Sequence, residues 1–164
     1  MKKIFLCIIA VLLLMGCAKK KPEVVQEPAT CFCFYPKNYG DWHFGVNIDY
    51  QGNNYSYLTI IMSQKSDEDL IDTLVRGYNS KFVNLLNKIE GVYASAQADT
   101  DDPSSLYIAI SLDFENLDFS TFSSTYDEKW LPPLIASIIA GIDGKDLNYP
   151  RLISELEKLE FDCK

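Results

Sequence analysis

Apolar and polar residues alternate with a period of two in several stretches of this chain and with a helical period in others. Trp42, Phe44, Val46, Ile48 and Tyr50 alternate with His43, Gly45, Asn47 and Asp49, the pattern of a half-buried strand. Gly52-Asn53-Asn54 supplies turn chemistry, and Tyr55 to Ser63 predicts the return strand of a β-hairpin. Cys31 to Tyr35 is strand-like and is closed by Pro36. Val92, Ala94, Ala96 and Ala98 alternate with Tyr93, Ser95 and Gln97. Leu106, Ile108, Ile110, Leu112 and Phe114 alternate with Tyr107, Ala109, Ser111 and Asp113. Small alanines on the inward phase allow a helix to approach the sheet closely.

Helical spacing links Leu70, Leu74, Tyr78, Phe82, Leu85 and Ile89, which predicts a helix over 67–89. Ser66 is the expected cap, Asp67, Glu68 and Asp69 complement the dipole of the first turn, and Gly91 marks the end. Phe119 to Phe122 predicts a short helical turn, and Leu134 to Ala140 a short buried helix ended by Gly141 and Gly144. A last helix over 149–159 starts at Asn148 with Pro150 in its first turn and buries Leu152, Ile153, Leu156 and Leu159. Phe161 to Cys163 reads as a short edge strand. These elements predict one α+β domain, with an antiparallel sheet of four or five strands and the two longer helices packed on it.

The start of the chain has a different character. Lys2 and Lys3 precede twelve uncharged residues, Ile4 to Met15, the size of a secretory h-region and short for a membrane span. Leu14-Met15-Gly16-Cys17 has the form of a lipobox: an aliphatic residue, a tolerant position, a small residue and a thiol. Residues 1–16 are therefore expected to be a cleaved leader, taking Cys7 with them. Cys17 then carries diacylglycerol through a thioether and anchors the protein in membrane lipid. One acyl chain holds only marginally at about 0.8 kcal/mol per buried methylene, whereas two or three hold permanently. Lys19, Lys20 and Lys21 would lie at the headgroups. Residues 17–30, with Pro22 and Pro28, read as a tether reaching up to ~40 Å, and 31–164 as the domain. The expected placement is the cell membrane or outer membrane, facing outside the cytoplasm. Ala18, which is not aspartate, does not favour inner-membrane retention in a two-membrane host.

Charge and cysteines narrow the classes. Without Lys2 and Lys3, 13 of the 15 basic residues face 23 acidic ones, a formal charge of −10, which argues against nucleic acid as a partner. Cys31, Cys33 and Cys163 remain after lipidation, in a compartment where disulfides persist. Cys31 and Cys33 point to the same face of a strand, so either can bridge to Cys163 and join the two ends of the domain. A C-x-C metal site is the competing reading, with only one further thiol and His43 to complete it.

Nine of the 21 aromatic residues fall between Phe32 and Tyr57. Core packing with cross-strand pairs accounts for such a cluster. The sharper reading is an exposed binding surface made by Tyr39, Trp42, Phe44, Tyr55 and Tyr57. His43 is the lone histidine, beside Trp42 on the polar phase of a strand, and no nucleophile motif accompanies it. Asp99, Asp101 and Asp102 form a dense acidic loop without the regular ligand series of an EF-hand, so a solvated turn is expected rather than a calcium site. No catalytic residue, cofactor or metal site is predicted.

Several segments together resemble the YehR-like family of small bacterial lipoproteins. They are Tyr50-Gln51-Gly52-Asn53-Asn54 at the hairpin turn, Asp69 to Leu74 with Tyr78 on the helix, and Ile89-Glu90-Gly91-Val92 entering the next strand. Ile108 and Ile110 leading to Asp118-Phe119, and Leu152 to Phe161 at the end, complete the order. The resemblance implies an α+β domain and a lipoprotein identity; the family has no established activity. Cys31, Cys33, Cys163 and the length of the 120–148 stretch depart from its pattern. The expectation is a non-enzymatic envelope or surface protein that engages another protein or a wall component. The alternative is a lipoprotein holding a small apolar or aromatic molecule between the sheet and the 120–140 segment.

Overall fold

A computed structural model of the chain describes residues 26–125, 132–142 and 146–164. The leader, Cys17, the three lysines after it and the Gly144 turn lie outside the described residues. One antiparallel sheet is formed by β1 (Ala29–Phe34), β2 (Trp42–Gln51), β3 (Asn54–Lys65), β4 (Val92–Ala98), β5 (Ser105–Asp113) and β6 (Asp162–Cys163). Their order across the sheet is β4-β5-β3-β2-β1-β6. Helix α1 (Glu68–Tyr78) runs on through a wider π turn at Asn79–Val83 and a last turn at Asn84–Leu86. Helices α2 (Phe119–Thr125), α3 (Pro133–Gly141) and α4 (Tyr149–Lys158) complete the domain. β1 begins at Ala29, inside the stretch read from sequence as tether, and six strands replace the expected four or five.

The period of two sorts the sheet into two faces. Phe44, Val46 and Ile48 on β2, Leu58, Ile60 and Met62 on β3, and Leu106, Ile108, Ile110 and Leu112 on β5 are all buried. They share one core with Ile71, Phe82 and Leu86 of the α1 segment, Phe122 of α2, Ile135, Ile138 and Ile139 of α3, and Leu152 and Leu156 of α4. Each such side chain contributes about 1.5–3 kcal/mol on burial. Ala94 and Ala96 stand on this face, where helix α1 passes over β4. The inward stripe of α1 is not the one read from spacing alone. Leu70 and Leu85 are exposed, while Ile71, Val83 and Leu86, each close to them in sequence but turned round the helix, point in. Asp67 stands at the cap position in place of Ser66, with no side-chain hydrogen bond.

Gly91 ends the α1 region with φ +76°, and a Cβ there would sit 2.5 Å from the backbone of Leu117. The close approach holds the turn before α2 against the sheet, where Asp118 N donates to Glu90 O at 3.1 Å.

Both edges of the sheet are partly covered. On β4 three outward backbone groups are met by two asparagines from the α1 region. Asn87 Nδ2 donates to Ala94 O at 2.9 Å, Ala94 N donates to Asn87 Oδ1 at 2.5 Å, and Asn79 Nδ2 donates to Ala96 O at 2.8 Å. Asn87 thus imitates a strand residue. An unblocked edge is a template for pairing with another chain. Asn87→Ala is expected to cost about 0.5–1.5 kcal/mol and to introduce concentration-dependent association, read by urea midpoint and sedimentation. A variant that stays monomeric with an unchanged midpoint would remove the role given to Asn87. The opposite edge is β6, two residues long and fastened by a disulfide.

Candidate functional site

Cys33 and Cys163 face each other across β1 and β6, with Cα atoms 4.0 Å apart and the sulfurs bonded. The neighbouring pair, Phe32 and Lys164, exchanges both backbone hydrogen bonds, at 3.2 and 3.0 Å. Cys33 and Cys163 therefore occupy the closer, non-hydrogen-bonded position, where side chains meet. This register chooses between the two candidate cysteines. Cys31 lies two residues further along β1, about 8 Å from Cys163 by strand geometry and beyond bridging range.

Cys31 is a free thiol, 6% exposed. It lies beside Tyr149, whose ring stacks on Tyr50 at a centroid distance of 3.8 Å. Burial first, then the Cys31 thiol and the Tyr50 hydroxyl, push the Tyr149 hydroxyl far above the ordinary tyrosine pKa. This cluster packs the start of α4 onto β1 and β2. Alkylation of Cys31 by iodoacetamide is expected to run roughly a hundredfold or more slower in the folded protein than in the unfolded chain. Comparable rates would show that the thiol is accessible.

The five aromatic residues picked out in the sequence do not share one exposed surface. Phe44 is 5% exposed, ringed by Tyr35, Tyr39 and Trp42 at centroid distances of 6.3, 5.5 and 6.2 Å. Phe161 joins the group 5.4 Å from Tyr35. Tyr39 and Trp42 are half-buried against the core. These residues close one end of the core on its helical side. Tyr55 is only 2% exposed and meets Phe114 edge-on at 4.9 Å. Its burial has a local cause. The register between β2 and β3 shifts at Asp49/Tyr50, so Tyr57 pairs with Asp49 but Tyr55 with Tyr50. A bulge of this kind moves the next side chain to the other face. Of the five, Tyr57 alone stands on the face opposite the helices.

Among the described residues that opposite face is open: the buried side chains of all four helices join the core on the other side. In register its rows read Asp113, Tyr57, Asp49 and Thr30; then Tyr93, Ser111, Thr59, Asn47 and Phe32; then Ser95, Ala109, Ile61, Gly45 and Phe34. Tyr93 and Phe32 are 58% and 44% exposed. Thr59 Oγ1 and Ser111 Oγ share a hydrogen bond of 2.9 Å. The Phe32 ring lies over Gly45, where any Cβ would meet it at 2.9 Å. His43 is exposed at the end of this face, opposite Ser63. Sequence reasoning missed most of these residues because a polar phase reads as a solvated face. The signal was the run of aromatic side chains on that phase: Phe32, Tyr57, Tyr93 and Tyr107.

Among the described residues no group of three His, Cys, Asp or Glu side chains is placed to hold a metal ion. In the 99–105 turn Asp99 accepts from Asp101 N at 2.9 Å, and Asp102 accepts from the Ser104 and Ser105 hydroxyls at 2.5 and 2.9 Å. Those hydroxyls, Ser104 first, hold the Asp102 carboxyl at about 2, below its usual 3.8. A carboxyl with a lowered folded-state pKa stabilises the protein above the unfolded value, and the contribution disappears as pH falls through the folded one. Asp102→Asn is therefore expected to flatten the loss of stability between pH 3.8 and about 2. Urea midpoints across that range measure it, and parallel slopes for both proteins would contradict it.

Of the 120–140 segment, beside which the alternative reading places a small ligand, residues 120–125 and 132–140 are described, and Pro133, Ala136, Ser137 and Ala140 line an open recess of about 320 Å³. Phe122 and Ile135 are fully buried in the core. A second, smaller groove of about 120 Å³ lies between α3 and α4, lined by Ile138, Leu152, Leu156 and Leu159 with Glu155 at its side. Ligand pockets usually measure ~300–1,000 Å³.

The fold has counterparts among solved structures. An NMR structure of a protein from Streptococcus pneumoniae TIGR4 is similar with a TM-score of 0.61 and 16% identity, over 90% of this chain and 88% of that one. The NMR structure of the Escherichia coli YehR protein is similar with a TM-score of 0.60 and 10% identity, over 84% of this chain and 91% of that one. No protein-family model and no curated protein sequence matches the chain. The shared architecture is that of the YehR fold, one antiparallel sheet with helices on one side.

Proposed function

We propose that this protein is a non-enzymatic lipoprotein, fastened through an acylated Cys17 outside the cytoplasmic membrane, which binds an envelope protein or wall component with the helix-free face of its sheet. The open face carries the reading: five strands present aligned side chains there, with large exposed aromatic residues at both ends of one row. The anchor rests on the Leu14 to Cys17 sequence. The described chain enters at Gln26, whose carbonyl accepts from Gln51 Nε2 at 2.8 Å beside the β2–β3 turn. A tether leaving there starts from the ends of the strands.

Metabolic labelling with an alkynyl fatty acid, followed by intact-mass analysis of protein from the membrane fraction, tests the anchor. The expected mature mass begins at Cys17 and carries acyl groups, and Cys17→Ala carries none. An unmodified mass, or label retained by Cys17→Ala, would overturn this placement.

A further inference from the structure

One row of the open face has the makings of a ligand trough. Tyr93, Ser111, Thr59, Asn47 and Phe32 are successive partners across five strands. At about 4.8 Å per strand the two aromatic ends stand about 19 Å apart. The three residues between are small and polar. The Thr59 and Ser111 hydroxyls share a hydrogen bond, and among the described residues the Asn47 carboxamide makes none. Tyr57 flanks this floor, two residues from Thr59 on β3.

Charge sets the trough apart from the domain around it. The chain carries an excess of acid, yet these five positions hold no ionisable carboxylate or ammonium group. At the sheet edge beyond Phe32, Lys164 lies 3.4 Å from Asp162 and 4.9 Å from the Phe34 ring centroid. A polyanion would be repelled by the domain and by Asp49 and Asp113 in the adjoining row. Those two carboxylates already accept from Thr30 Oγ1 and Asn116 Nδ2, at 2.7 and 2.8 Å, and the floor itself offers a polycation none. The strip suits a neutral, hydroxyl-rich ligand that offers flat C–H faces to aromatic rings and hydrogen-bonding groups to a carboxamide and two hydroxyls.

We infer that the trough binds an uncharged polysaccharide strand lying across the β-strands. Sugar rings stack on Tyr93 and Phe32, and Asn47, Thr59 and Ser111 bond to their hydroxyl or acetamido groups. This deepens the proposed binding role and rests on it.

The test is a titration of the full lipidated protein in detergent micelles with β-1,4-linked N-acetylglucosamine hexamer, read by calorimetry. A parallel titration uses a galacturonate hexamer of the same length. Saturable binding of the neutral hexamer is expected, with affinity lowered at least tenfold by Asn47→Ala and by Tyr93→Ala and unchanged by Ser137→Ala on α3. Melting temperatures matching the parent chain show that the variants fold. Absence of saturation, equal binding of the acidic hexamer, or binding indifferent to Asn47 and Tyr93 would each overturn the inference. A photo-cross-linking residue at Thr59 in cells separates this failure from failure of the wider reading. Capture of a protein at Thr59 without hexamer binding leaves the open face as a binding surface and removes the polysaccharide; neither signal removes both.

Discussion

Replacing Cys33 and Cys163 together by alanine is expected to destabilise the domain by about 4–5 kcal/mol, the chain-entropy value for a closed loop of this length. The sequence separation is 130 residues, so the bridge constrains nearly the whole folded domain in its unfolded state. Its loss also frees β6, which holds only two residues in the sheet, and with it the covering of the β1 edge. A fall in melting temperature of about 10–20 °C follows from that free energy. Urea midpoints of the parent, the double variant and the reduced parent measure it, and the last two should agree. A change below about 1 kcal/mol would mean that β6 is held by its backbone pairing and packing alone. Cys33→Ser is the sharper companion. Cys31 faces the same side of β1, but the register keeps it out of reach of Cys163, so this variant should lose as much as the double one. Recovery of a Cys31–Cys163 bridge would show that β6 can slide by two residues.

Phe122→Ala is expected to cost about 3–5 kcal/mol, the usual range for deleting a buried ring and leaving a cavity. Phe122 is fully buried, although it belongs to a seven-residue helix in a stretch rich in serine and threonine. Its placement depends on Gly91, whose missing side chain lets the backbone at Leu117 come close, and on the hydrogen bond from Phe122 N to Asp118 O at 2.9 Å. Leu70→Ala is the control. Leu70 is half exposed, and its loss should cost less than about 1 kcal/mol. Equal costs for the two would contradict the placement of α2 against the core.

The elements themselves were legible because each buries one face. Alternation located β2, β4 and β5, the Gly52-Asn53-Asn54 turn before an apolar run located β3, and helical spacing located α1 and α4, with Asn148 accepting from Arg151 N at 2.9 Å as the expected cap. What escaped depends on long-range register. A strand of two residues carries no period, so β6 could be suggested and not counted. The choice between Cys31 and Cys33 is invisible to a rule that sees only which face a residue takes. The bulge at Asp49/Tyr50 buries Tyr55, and no side-chain pattern announces it. Leu70 and Leu85 fit a helical stripe nearly as well as Ile71 and Leu86 do, and packing alone separates them. The open face was the least legible feature. Its residues are scattered over strands far apart in sequence and become a row only when five strands align.

Scanning the surface with a photo-cross-linking residue in intact cells tests most directly whether the helix-free face is where this protein meets its partner. The residue would be placed in turn at Thr59, Ala109 and Ser95 on the open face, and at the exposed Ser137 and Ser154 on the helical side. The account predicts a discrete adduct, the same from each of the first three positions, and none from the last two. Adducts confined to the helical side, with the open face silent, would contradict it.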